Sequence, residues 1–279
     1  MTSMKTIFIL CINICLLLAG SIPVAAQFYV PPSIKLSEVN TVVTYSLTWN
    51  EDSLNPHFKN QEDMILLIGD DMSLFTGKNF FDYRNDGEKY RKEGRSQEFR
   101  QIPMSNYRTR FTYDIFKNYP KGKLTYVDKV QPNFLLYEEK LYDFSWEIKD
   151  EKIELHGYFC QEARCTYGGR NWIAWFTMDI PYSNGPYKFG GLPGLIVKMY
   201  DYKTNYTFEL ISIVRPYDSL SIAFVERDYV KTNREDLLKA AENFRVDIIS
   251  RAKAAGLDDS DLQQKIANRM KKRNNPIEF

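Results

Sequence analysis

Histidine is nearly missing from this chain. His57 and His156 are the only two, which removes most of the side chains from which metal centres and acid–base triads are built. Neither lies beside a Gly-x-Ser-x-Gly nucleophile elbow or in a His-x-x-x-His pair. The glycines form no Gly-Lys-Ser/Thr and no Gly-x-Gly-x-x-Gly, so no nucleotide cradle is present and no cofactor is expected. Charge excess is missing too. Lys5 is the only charged residue before Gln27, which leaves 36 basic against 36 acidic side chains in the remainder. Such balance excludes the clustered base of a nucleic-acid footprint, and Lys271-Lys272-Arg273 reads as a solvated helix end.

Long apolar runs are also few. The run Ile7–Leu18 is too short to span a bilayer, and no membrane-spanning segment is expected. Lys5 precedes this run and Val24-Ala25-Ala26 follows it, so residues 1–26 read as a signal peptide. Leu18-Ala19-Gly20-Ser21 has the form of a lipoprotein signal with serine where the acylated cysteine would stand. An exported product, periplasmic or secreted and not lipid-anchored, is the expectation. Residues 27–279 show no linker-like change in composition and are read as one domain.

What the chain does have is strand pattern. Val43, Tyr45, Leu47 and Trp49 alternate with Thr44, Ser46 and Thr48, as a half-buried antiparallel strand requires. Met64–Ile68 and Met72–Phe75 flank Gly69-Asp70-Asp71 as a hairpin. Further strands are expected at Leu124–Val130, Phe134–Glu139, Phe144–Ile148, Ile153–Cys160, Trp172–Met178, Leu195–Tyr200 and Tyr206–Val214. Short polar connections suggest that sequential neighbours pair. Lys78–Arg95 is ambiguous, because Gly87 interrupts it.

Helix is expected mainly after residue 232. Leu237, Ala241, Phe244, Ile248, Ala252 and Ala255 recur at three and four residues. Thr232 with Glu235 forms a capping-box pattern, and Gly256 closes the run. A shorter helix over Leu262–Met270 has Asp259 or Ser260 as its cap. The fold class is therefore α+β: a single curved antiparallel sheet, a meander of open half-barrel form over about 40–215, with amphipathic helices of about 232–279 packed on it. These helices and the short strands argue against a closed outer-membrane barrel.

The densest stretch is Gly185-Pro-Tyr-Lys-Phe-Gly-Gly-Leu-Pro-Gly-Leu-Ile196. Leu192-Pro193-Gly194-Leu195 has the residues of a type II turn, with proline second and glycine third. Gly185, Pro186, Gly190 and Gly191 provide further changes of direction, so the stretch reads as a compact corner. The X-Pro bonds after Ile180, Gly185 and Leu192 are candidates for cis. Trp172, Trp175, Tyr187, Phe189 and Leu192 are the candidate lining of a concave, ligand-holding face. Asp179, Asp201 and Arg170 are read as turn residues and an ion pair bracing the corner, with a catalytic pair as the alternative.

Beyond the leader, which carries Cys11 and Cys15, only Cys160 and Cys165 remain. In an oxidising compartment they are expected to close a small disulfide contributing about 2 kcal/mol. A buried free pair is the alternative. In a third reading His156, Tyr158 and Cys160 share one face of a strand, and a turn adds Cys165 to a soft metal site.

Gly157-Tyr158 and Cys160, Gly169-Arg170, Ala174-Trp175-Phe176-Thr177, Asp179-Ile180-Pro181, Gly185–Phe189, Gly191–Ile196 and Asn274-Asn275-Pro276-Ile277-Glu278 together resemble the bacterial GLPGLI family. The resemblance implies a secreted protein of a Gram-negative envelope, of unestablished function and with no catalytic residue to carry over. Cys165 departs from the family pattern. The function expected is a non-enzymatic periplasmic binding or envelope-accessory protein whose partner is an apolar ligand, glycan, peptide or envelope protein. An envelope-polymer hydrolase and a metal-handling protein using His156, Cys160 and Cys165 are the alternatives. No motif encodes an oligomeric state.

Overall fold

The computed structural model describes residues 31–216, 219–248, 250 and 259–279. The signal-peptide reading of residues 1–26, and Ala252, Ala255 and Gly256 of the expected helix, lie outside them. The strands are β1 (Ser33–Glu38), β2 (Thr41–Trp49), β3 (Asn60–Ile68), β4 (Ser73–Gly77), β5 (Asp114–Lys117), β6 (Lys123–Val130), β7 (Asn133–Lys140), β8 (Glu147–Leu155), β9 (Tyr158–Tyr167), β10 (Arg170–Thr177), β11 (Leu195–Asp201), β12 (Tyr206–Val214), β13 (Ser221–Val225) and β14 (Val230–Lys231). The α-helices whose full extent falls among the described residues are α1 (Lys78–Lys92), α2 (Ser96–Gln101), α3 (Arg234–Val246) and α4 (Ser260–Lys271).

Twelve strands form one open sheet in the order β14-β7-β6-β5-β4-β3-β2-β12-β11-β10-β9-β8. Two meanders, β2–β7 and β8–β12, meet where β2 pairs antiparallel with β12. The β14–β7 pair is parallel, so the sheet is antiparallel with one parallel edge pair. Laid flat, β7 and β8 would stand roughly 48 Å apart at about 4.8 Å per strand. Only residues 141–146 join them, a reach of at most about 25 Å. The sheet must therefore curl, and the loop closes its mouth at one end.

Both faces are covered through the middle of the sheet. Val43, Tyr45, Leu47 and Trp49 join Met64, Leu66, Phe75, Phe208 and Trp172 in the larger apolar cluster. Val42, Ile65, Leu67, Leu74 and Phe116 point the other way, against Ile222 of β13, which pairs with β1 as a separate two-stranded ribbon. Each extra methylene so buried is worth about 0.8 kcal/mol, and Met64–Ile68 of β3 is accordingly a continuous apolar run. Helix α1 runs through the ambiguous stretch with Gly87 buried in it.

Several expectations change here. Phe144–Ile148 and Ile153–Cys160 are not separate strands: β8 runs through Glu147–Leu155 and turns back at His156-Gly157, whose φ values of 53° and 81° suit a two-residue hairpin. The cap of α3 is Asn233, whose side chain accepts from the Asp236 amide, and not Thr232. Asp259 caps α4. The cis prolyl bonds are Tyr119–Pro120 and Gln131–Pro132, so the three bonds singled out above are not cis. Strand also extends beyond 40–215, to Ser33 on one side and Lys231 on the other.

Candidate functional site

The loop between β10 and β11 lies inside the curl of the sheet. Its carbonyls need donors, because it belongs to no strand apart from an isolated bridge between Asn184 and Gly190. Lys117 supplies them from β5. Its ammonium nitrogen donates to Asn184 Oδ1 at 3.0 Å, Gly185 O at 2.6 Å and Phe189 O at 2.8 Å. Asn184 in turn donates to Ser73 Oγ at 2.8 Å. The corner expected around Pro193 differs in detail. Gly194 N–H donates to Leu192 O at 2.8 Å and Leu195 N–H to Ile180 O at 3.1 Å, so the type II turn is replaced by a tighter three-residue turn. A Cβ on Gly194 would stand 2.0 Å from Thr177 O, and this close backbone approach is what the glycine permits.

Trp172, Trp175, Tyr187, Phe189 and Leu192 are all buried in the larger cluster. They are a packed core and not an open lining, because the loop itself fills the concavity they were expected to offer. Phe189 packs at tilted and edge-on angles among Phe144, Trp146, Tyr167 and Trp172.

Sequence reasoning passed over Lys188. Its side chain is fully buried, with its nitrogen 5.2 to 5.5 Å from the ring centres of Tyr126, Tyr137, Tyr167 and Tyr187. Such a tyrosine cage suits a cation electrostatically. The nitrogen donates to Tyr137 Oη at 2.6 Å and Tyr167 Oη at 3.0 Å. It pairs with Glu278 Oε1 at 2.6 Å and Glu139 Oε1 at 3.3 Å. Tyr187 also donates to Glu278 Oε1. Burial, followed by the charge of Glu278, pushes the Tyr187 phenol well above its ordinary range, so it stays a donor. Arg234 at the start of α3 approaches the other carboxylate oxygen of Glu278 at 3.8 Å.

Arg170 anchors the neighbouring residues. It donates to Asp201 Oδ2 at 3.0 Å, Asn275 Oδ1 at 2.6 Å and Ile277 O at 3.1 Å, and also to Pro276 O. The Arg170–Asp201 ion pair is buried. Asp179 is exposed and lies past the far end of β10, so it does not share a site with Arg170.

The cysteines are both free and buried. They occupy one continuous strand, β9, five residues or about 17 Å apart, whereas a disulfide requires α-carbons within about 7 Å. The expected disulfide is thereby excluded. Burial pushes the Cys160 thiol up to about 11 and the Cys165 thiol up to about 12. His156 sits in the hairpin turn with Nε2 3.4 Å from Glu209 Oε1. Among the described residues no three His, Cys, Asp or Glu side chains gather closely enough to hold a metal ion, so the grouping of His156, Cys160 and Cys165 is not assembled.

Beside the Lys188 cage a cavity of about 480 Å³ opens to the surface. Glu139, Lys140, Tyr142, Asp143, Phe144, Tyr167, Gly168 and Arg234 are among the residues that form its wall. Glu139 and Tyr167 therefore face both the cavity and the buried ammonium. No described helix is long and apolar enough to cross a membrane.

A family model described as a protein of unknown function (Porph_ging) matches residues 168–198. That segment contains Gly168, Arg170, Tyr187 and Lys188. No curated protein matches the chain at a significant level. Two solved chains, from the structures of PNGF-II in the C2 and P21 space groups, are similar over 74% of this chain, each with a TM-score of 0.47 and with 13% and 12% identity. The present chain spans about a third of their length, 33% and 34%.

Proposed function

We propose that this chain is an exported, non-enzymatic binding protein of the bacterial cell envelope, a member of the GLPGLI family, whose ligand is a short peptide held in the cavity beside Tyr167. The wall of that cavity carries the reading. Lys140 and Arg234 set positive charge against Glu139 and Asp143, and Tyr142, Phe144 and Tyr167 add ring surface between them. A ligand with charges of both signs on an apolar-bearing chain satisfies such a wall, and a peptide has that character. An apolar cargo is less suited, because the aromatics that would surround it are already packed against one another. Catalysis by the buried amine is also poorly served: the three N–H donors of Lys188 already meet Tyr137, Tyr167 and Glu278.

Native mass spectrometry of the protein isolated from its own envelope fraction tests this. The expected spectrum shows added masses that fragment as peptides, and these are lost in the K140Q/D143N variant, whose two substituted side chains are exposed. A bare chain, or added masses that fragment as sugars or lipids, would overturn the proposal.

A further inference from the structure

Residues 274–279 belong to no helix or strand, yet Asn275 and Glu278 are buried. The partners of residues 274–279 come from six places in the fold: Arg170 on β10, Lys188 and Tyr187 on the inserted loop, the Gly168-Gly169 turn, Asn50 and Glu51 after β2, Tyr206 on β12, whose hydroxyl donates to Asn275 O at 2.7 Å, and Arg234 on α3. Asn275 Nδ2 donates to Asn50 O at 2.8 Å, and Phe279 N–H donates to Gly168 O at 3.0 Å. Arg170 lies 4.8 Å from the Phe279 ring centre. The glycine turn forms a flat floor. A Cβ on Gly168 would stand 2.8 Å from the Glu278 side chain, and one on Gly169 would stand 3.2 Å from that of Phe279.

This arrangement has the form of a receptor and its ligand. We propose that Arg170, Lys188, Arg234 and the Gly168-Gly169 turn form a binding site for an acidic peptide segment of the pattern Asn-Pro-x-Glu-aromatic, which the chain occupies with its own residues 275–279. Three observations favour a replaceable occupant over a piece of core. Glu278 is 3% exposed, yet its second oxygen has no hydrogen-bond partner and meets only the Arg234 guanidinium at 3.8 Å, so its hydrogen-bonding capacity is not filled where it sits. Lys188 keeps Glu139 and two phenols if Glu278 withdraws, so the site does not leave a lone buried charge behind. The cavity shares Tyr167, Gly168, Glu139 and Arg234 with this site, which gives the segment an exit and a replacement an entry. The inference stands on the segment's own contacts and does not require the cavity to hold a ligand.

Two variants test it, one lacking residues 274–279 and one carrying Glu278→Gln in the full chain, each checked for folding by circular dichroism. The probe is the synthetic peptide Asn-Asn-Pro-Ile-Glu-Phe, measured by calorimetry. Both folded variants are expected to bind it, the unmodified chain is not, and a peptide with Gln in place of Glu should bind roughly tenfold or more weakly. Folded variants that ignore the peptide overturn the proposal, as does equal binding by the unmodified chain. Failure of both variants to fold overturns it too, because a segment indispensable to the fold is core and not ligand.

Discussion

Lys117 and Lys188 are both fully buried, and their surroundings show two ways of keeping an amine inside a protein. Lys188 meets carboxylates and phenols, whereas Lys117 meets only amide oxygens. Burial pushes the Lys117 amine well below the ordinary lysine range, and its three short contacts to the loop offset that cost. Glu62 is the informative acid. Thr109 Oγ1 and the Arg110 amide donate to its carboxylate, but burial dominates and raises the group from 4.5 to about 7. The folded state therefore holds this proton between those values while the unfolded chain releases it. The stability it contributes is complete below 4.5 and is lost as pH rises through 7. In urea titrations from pH 5 to pH 8 we expect the balance to move in favour of Glu62→Gln relative to the parent. A difference that stays constant across that range would refute the assignment.

At the scale of elements, β9 shows how a strand separates what the sequence places close together. Cys160 and Cys165 are five residues apart, a spacing that a loop could close and an extended strand cannot. Cys160 and Cys165 are therefore both expected to react as free thiols when the chain is denatured in a thiol reagent, with slow reaction in the folded state because both are buried. Added reductant should leave the thermal midpoint where it was. A fall of several degrees would reveal a bridge, since a disulfide contribution of about 2 kcal/mol is of that size in a domain of this length. Helices α3 and α4 are set by local chemistry at their starts, where Asn233 and Asp259 accept from the amides of Asp236 and Leu262 at 2.8 and 2.9 Å.

For the whole molecule, the curl of the sheet is the controlling fact. It brings the loop that joins β7 to β8 against the inserted loop, so that a Cβ on Gly190 would meet the Tyr142 ring at 2.4 Å. It also buries the middle strands on both faces and leaves β14 and β8 as edges. Hydrogen exchange is expected to be slowest at Leu66 and Phe208, whose strands are flanked on both sides, and fastest along β8 and β14. Uniform protection across the sheet would contradict this architecture.

The positions of strands β2 to β4, β6, β7 and β10 to β12 along the chain were legible from residue chemistry alone, because period-two alternation and turn residues act locally. The short buried β5 was not, since Asp114 and Lys117 interrupt its apolar pattern and find their partners, Arg84 and the inserted loop, far away in sequence. The Gly185–Ile196 stretch was readable as a corner by its glycines and prolines. That the corner turns into the sheet's concavity and carries a caged lysine was decided only by tertiary structure. Four tyrosines from separate elements and Glu278 from residues 274–279 converge there, and no spacing within the sequence encodes a meeting of groups up to 152 residues apart, as Glu278 and Tyr126 are.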